Sequence, residues 1–169
     1  LIACGDKELA HYEEAVKRYQ DIFRECCMYR VEAYEGIREL LAFLKSRGIL
    51  IAVLSNKPHP RTLDNVEGVF GKGCFDLVYG EREDKGIRKK PCPDGVWAIA
   101  EELGLSKSEI LYLGDTNTDM ETGDNAKVDT VGVTWGFRAR EELMAFHPAL
   151  IADHPSQVVQ YIKDVNGIE

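Results

Sequence analysis

The chain has 169 residues, of which 44% are apolar and 30% charged, and a formal net charge of −8. That composition is ordinary for a soluble globular protein, and the length suits one domain with a small appendage. The acidic balance counts against nucleic-acid binding, which calls for a basic face, and no apolar run approaches the roughly 20 residues that span a bilayer.

Leu9, Tyr12, Val16, Tyr19 and Phe23 recur at three- and four-residue steps and predict a helix within residues 6–31. Ala33-Tyr34-Glu35-Gly36 breaks it. Ile37, Leu40, Leu41 and Leu44 then form one apolar helical face, closed by Gly48 as a C-terminal cap. Residues 49–54, apolar at every position, predict a strand covered on both faces. A short helix over 60–70 and a strand over 75–79 follow. Asp94 is placed to cap a helix carrying Val96, Ile99, Ala100 and Leu103, ended by Gly104. Ser106 and Glu109 have capping-box spacing before a strand at 110–113. A helix near 119–126, a strand at 129–134, a helix at 138–146, a strand at 149–152 and a last helix from Pro155 complete the pattern. Strands alternating with helices of about ten residues predict an α/β fold, a doubly wound, Rossmann-like parallel sheet with helices on both faces. In such sheets ligands bind beyond the carboxyl ends of the strands.

Three segments carry the chemistry. After the strand at 110–113 comes Gly114-Asp115-Thr116-Asn117-Thr118-Asp119. Two carboxylates four residues apart suit magnesium, a hard cation that takes carboxylate, water and phosphate oxygens. The same residues also suit an ordinary strand-to-helix turn with an N-cap. The strand at 49–54 ends in Ser55-Asn56-Lys57-Pro58, where a hydroxyl, backbone N–H groups and an amide offer donors to an anion; a polar turn before Pro would look alike. Residues 85–93 are basic, and Lys85, Arg88 and Lys89 read as a solvated loop. Lys90 differs, because Pro91 and Pro93 stiffen the chain behind it. A rigidly held ammonium can neutralise a phosphoryl group in its transition state.

Taken in order and spacing, Ser-Asn, then Lys-Pro-x-Pro, then Gly-Asp-x-x-x-Asp closely resemble motifs two, three and four of the haloacid dehalogenase superfamily, in its phosphoglycolate-phosphatase-like branch. The likeness covers residues 34–169, including Val131 to Arg138 after motif four. It implies a magnesium-dependent phosphatase for a small phosphorylated metabolite, with 2-phosphoglycolate the first candidate and a phosphomutase or pyrophosphatase as alternatives. Ser55 and Asn56 would bind the transferring phosphoryl group, Lys90 would bridge it to the nucleophile, and Asp115 would ligate magnesium. Asp119 would either hold a metal-bound water or steady the lysine.

Cys4, Cys26, Cys27, Cys74 and Cys92 are odd in number and show no repeated C-x-x-C spacing, which favours reduced thiols in a cytoplasmic protein; the expected assembly is a monomer or homodimer. The family's first motif, Asp-x-Asp, occurs nowhere in the chain. Leu1 is not a Met, so the expectation is a chain that begins inside a longer protein. Residues 1–32 would then be part of a helical cap and 33–169 the α/β core. Roughly 50–60 residues would precede Leu1, bringing the nucleophile on a strand between those that end at Ser55 and Gly114. The alternative is a protein of the same fold that lacks the nucleophile and acts as a binding module.

Overall fold

The computed structural model describes residues 9–26 and 28–168. The chain divides into two compact units, Leu1–Glu32 and Ala33–Glu169. The first contains α1 (Leu9–Cys26). Tyr12 and Tyr19, expected on the inward face, stand exposed. Residues 6–8, Cys4 and Cys27 lie outside the described residues, as do the side chains of Leu9 and Phe23.

The second unit runs α2 (Ile37–Ser46), β1 (Ala52–Pro58), α3 (His59–Phe70), β2 (Leu77–Glu81), α4 (Asp94–Leu103), β3 (Leu111–Gly114), α5 (Asn117–Ala126), β4 (Asp129–Val133), α6 (Arg140–Met144), β5 (Leu150–Ala152) and α7 (Pro155–Asn166). All strand pairs are parallel. β1 pairs with β2 in one sheet, and β3, β4 and β5 are neighbours in that order in another. Alternation along β4 shows how helices come to cover both faces. Val131 and Val133 point into a core shared with Leu40 of α2, Ala152 of β5, and Val158 and Ile162 of α7. Gly132, between them, faces Leu143 of α6.

Several elements sit differently from their sequence signals. The apolar run 49–54 does not mark the strand: β1 starts at Ala52 and continues through Pro58. Ile49 N–H is held by Leu44 O at the end of α2 (3.0 Å), and Ile51 exchanges hydrogen bonds with Asp76 (2.7 and 2.8 Å). These bonds hold residues 49–51 outside the ladder. β1 is also not covered on both faces, since Ala52 is exposed and Val53 and Leu54 are only half-buried. The cause is topological: among the described residues, no strand pairs with the second edge of β1 or of β3. Asp94 does not cap α4. Pro93 occupies the cap, and the Asp94 carboxylate is taken by Arg88. The expected capping box does form, with Ser106 N–H and Oγ both donating to Glu109 Oε2 (2.9 and 2.6 Å).

Neighbouring residues of α6 separate burial from helix propensity. Leu143 is fully buried and Met144 is half exposed. Leu143→Ala is expected to destabilise the protein by about 2–4 kcal/mol and Met144→Ala by no more than about 0.5 kcal/mol, both measured by urea unfolding.

Candidate active site

The end of β1 leaves its ladder where the chemistry is needed. Leu54 pairs with Tyr79 and Pro58 with Glu81, so Ser55, Asn56 and Lys57 stand opposite Gly80 alone. Such a bulge releases backbone from pairing and re-aims side chains. Ser55 Oγ accepts a hydrogen bond from Lys57 N–H (3.1 Å), which sets a tight polar turn. Asn56 turns its amide elsewhere than toward an anion: Nδ2 donates to Lys90 O (3.0 Å), and Oδ1 accepts from Lys90 N–H (2.8 Å).

The loop from β2 to α4 is pinned on several sides. Arg88 forks onto Asp94 through Nε and Nη2 (2.7 and 2.8 Å), and Cys92 Sγ donates to the same carboxylate (3.1 Å). These contacts, the Arg88 pairing first, hold the Asp94 carboxyl well below its usual range. Lys89 pairs with Glu81 and Glu83 (3.2 Å each). The loop expected to be merely solvated is therefore tied down by exposed ion pairs. Asn125 of α5 donates to Pro91 O (3.0 Å). Held this way, Lys90 sends its ammonium to Asp119 Oδ1 (2.7 Å) and to Leu54 O on β1 (3.3 Å).

Gly114 ends β3 and Asp115 follows it, and two glycines let the turn close. A Cβ at Gly114 would lie 2.1 Å from Asp119 Cβ, and one at Gly136 would lie 2.1 Å from Asp115 Oδ2. Thr116 is the N-cap of α5: its Oγ1 accepts from Asp119 N–H (3.2 Å) and donates to Asp119 Oδ2 (2.6 Å). The turn reading and the functional reading are thus both realised by the same residues. Phe137 N–H, in the loop after β4, donates to Asp115 Oδ2 (2.9 Å).

The pair at the centre is buried, with 14% of the Lys90 side chain and 8% of the Asp119 side chain exposed. Burial alone would raise the Asp119 carboxyl. The Lys90 ammonium and the Thr116 and Tyr112 hydroxyls outweigh it and hold the group below its ordinary value. Burial, reinforced by the Asp119 charge, pushes the Tyr112 phenol well up, so it stays protonated and donates to Asp119 Oδ1 (3.2 Å). With Lys90 and Tyr112 on one oxygen and Thr116 on the other, Asp119 has little left for direct metal ligation. Asp115 can present a carboxylate oxygen. Among the described residues no three His, Cys, Asp or Glu side chains gather to form a metal cage. That fits magnesium, which needs only one or two carboxylates with water and phosphate, provided further oxygens come from outside this set.

The sequence singled out Ser55, Asn56, Lys90, Asp115 and Asp119. The structure puts Ser55 and Asn56 in the β1 bulge, Lys90 on the loop that reaches it, Asp115 just after β3 and Asp119 in the first turn of α5. Tyr112, Thr116 and Asn125 were missed as parts of this network. Thr116 lay in the motif, and its spacing from Asp119 is that of a cap. Tyr112 and Asn125 carry no local signal.

Residues 4–133 match the family model of the haloacid dehalogenase-like hydrolases. Among curated proteins, the chain is 28% identical over 153 residues to the phosphoglycolate phosphatase of Pectobacterium atrosepticum, covering 90% of this chain and 64% of that protein. It is 29% identical over 153 residues to the N-acetylmuramic acid 6-phosphate phosphatase of Pseudomonas aeruginosa, covering 86% and 64%. It therefore spans a little under two thirds of the length of these relatives. A crystal structure described as a candidate phosphoglycolate phosphatase from Lactobacillus delbrueckii subsp. bulgaricus superposes with a TM-score of 0.83 at 31% identity, over 96% of this chain and 65% of that one.

Removing one partner of the central pair leaves a buried ammonium facing a neutral amide. Asp119→Asn is expected to lower stability by about 3 kcal/mol at neutral pH. Because folding depresses the Asp119 carboxyl, its contribution is complete above the unfolded value near ~3.9 and is lost as pH falls through the lower folded value. Urea titrations of the two proteins should differ at pH 7, and the difference should begin to shrink only as pH falls below about 4 and close once it lies below the folded value.

Proposed function

The chain belongs to the haloacid dehalogenase-like hydrolase family, and on that footing we propose that it forms the larger part of a magnesium-dependent phosphatase acting on a small phosphate monoester. The observation that carries the reading is the buried Lys90 ammonium, held 2.7 Å from Asp119 between the ends of β1 and β3. A fixed cation at strand ends, beside a hydroxyl and a carboxylate, is what phosphoryl transfer asks of a protein.

In this reading Ser55 binds the transferring phosphoryl group through its hydroxyl and the bulged backbone around it. Lys90 neutralises charge on the phosphoryl oxygens as the bond to the leaving group lengthens. Asp119 keeps the Lys90 ammonium aimed, rather than holding the metal itself. Asp115 would hold magnesium, which supplies further neutralisation of the phosphoryl oxygens when bound. The nucleophile is an Asp on a segment ahead of Leu1, attacking phosphorus to give an aspartyl-phosphate that water then hydrolyses. The unpaired edges of β1 and β3 support that placement, since a strand between them would satisfy both. Residues 1–32 would belong to a helical cap.

Within this class, 2-phosphoglycolate is the first substrate to test, because a relative and a structural neighbour bear that name. The relative named for a sugar phosphate makes other small monoesters the comparison. A panel of phosphate esters decides among them, and a preference for pyrophosphate over every monoester would overturn the monoester reading.

Two variants of the intact protein test the site. Asp115→Asn should abolish magnesium-dependent hydrolysis of p-nitrophenyl phosphate with an unchanged circular dichroism spectrum; retained turnover would remove Asp115 from the metal. Lys90→Ala should lower kcat by about 10²–10³-fold, the scale of losing one preorganised electrostatic group. A loss of only a few-fold would return Lys90 to the class of surface lysines.

A further inference from the structure

A lysine side chain does not aim itself. Its ammonium rides on a flexible four-carbon stem, and Lys90 sits in the 12-residue connection between Glu81 at the end of β2 and Asp94 at the start of α4. For its Nζ to meet both Asp119 Oδ1 and Leu54 O, its backbone must be held. The elements that hold it are two side-chain amides on opposite sides of the loop. Asn56, in the β1 bulge, donates to Lys90 O (3.0 Å) and accepts from Lys90 N–H (2.8 Å). That reciprocal pair imitates the pairing a neighbouring strand would give. It also fixes which end of the amide is oxygen, since only oxygen can accept from the N–H. Asn125, near the end of α5, donates to the next carbonyl, Pro91 O (3.0 Å). One amide is thus anchored on the element that carries Ser55 and the other on the helix that carries Asp119.

We propose that Asn56 and Asn125 are positioning residues for Lys90, clamping its backbone so that the ammonium is preset between the two sheets, and that the Asn56 amide is not a phosphate ligand. The inference rests on the reading of Lys90 as the cation of phosphoryl transfer. Misplacing a reacting group by about 1 Å can cost on the order of 10²-fold in rate, so loosening the clamp should act on turnover. A phosphate ligand would act differently, weakening the binding of ester and free phosphate alike.

The test is a set of double-mutant cycles in the intact protein, with p-nitrophenyl phosphate as substrate and inorganic phosphate as competitive inhibitor. Asn56→Ala should lower kcat by about 10–10²-fold while KM and the phosphate inhibition constant stay within roughly twofold. Asn125→Ala, at an exposed position where the substitution leaves the core intact, should show the same pattern with a smaller loss. Asn56→Asp keeps an acceptor for Lys90 N–H but sets a carboxylate oxygen against Lys90 O, so it should fail to rescue. In a Lys90→Ala background each Asn substitution should change kcat by less than roughly twofold, because the group being positioned is gone. Additive losses in that background, or a rise in KM and in the phosphate inhibition constant at unchanged kcat, would overturn the clamp while leaving Lys90 in place. If Lys90→Ala alone costs only a few-fold, the underlying reading of the site falls and the clamp with it. Should Asn56→Ala fold poorly, the Asn125→Ala cycle alone decides between the clamp and its absence.

Discussion

The ion pair between Lys90 and Asp119 joins two sheets that share no strand pairing. Lys90 reaches it from the loop after β2 and also touches Leu54, the last paired residue of β1 before the bulge, while Asp119 rises from the first turn of α5 after β3. Charges so little exposed are tolerable only when paired and hydrogen-bonded; the Lys90 ammonium gives two of its three N–H groups to Asp119 and to Leu54 O. On the carboxylate side Thr116 and Tyr112 occupy what Lys90 leaves. On the lysine side the two asparagines grip the backbone. The pair is better understood as a device for holding a cation in place than as a source of net stability, since buried pairs contribute weakly against apolar alternatives.

That cation also answers an apparent conflict in the charge balance. A chain of net charge −8 is a poor partner for anions at long range, yet chemistry on a phosphate depends on the local field of one cleft. Ser55, Lys90 and the backbone of the β1 bulge provide donors and positive charge in one place. Asp119 has its oxygens engaged by Lys90, Tyr112 and Thr116. Asp115 is left as the carboxylate able to recruit a divalent cation, and the loop after β4 steadies it through Phe137 N–H.

The open edges of β1 and β3 explain features that otherwise look like poor design. A parallel strand is normally buried on both faces, but β1 is half-exposed and Leu113 on β3 is partly so. Among the described residues neither edge is paired, and a strand paired to both would complete the two ladders. The proposed nucleophile would then arrive at the same level as Ser55 and Asp115, because parallel strands present their carboxyl ends together.

Much of this was legible from local pattern. Alternating apolar runs and helical faces located nearly all the elements of residues 33–168, because burial of one face leaves a period in the sequence. The Ser-Asn, Lys-Pro and Gly-Asp segments pointed to the proposed site, and the fold brings them together through the bonds of Lys90 to Asn56, Leu54 and Asp119. The sequence signals went astray where tertiary contacts overrode local preference. The apolar run 49–54 marked burial but not the ladder, which Asp76 and the end of α2 displace by three residues. Asp94 looked like a cap and became the partner of Arg88. What the sequence determined by itself is therefore the alternation of elements and the residues able to do phosphate chemistry. Which of those residues touches which was settled only by the fold. Asn56 and Lys90 are 34 residues apart, and Asn125 and Pro91 are also 34 apart. No periodicity of a helix or strand reaches that far, so the amides that aim the lysine became visible only when the chain had folded.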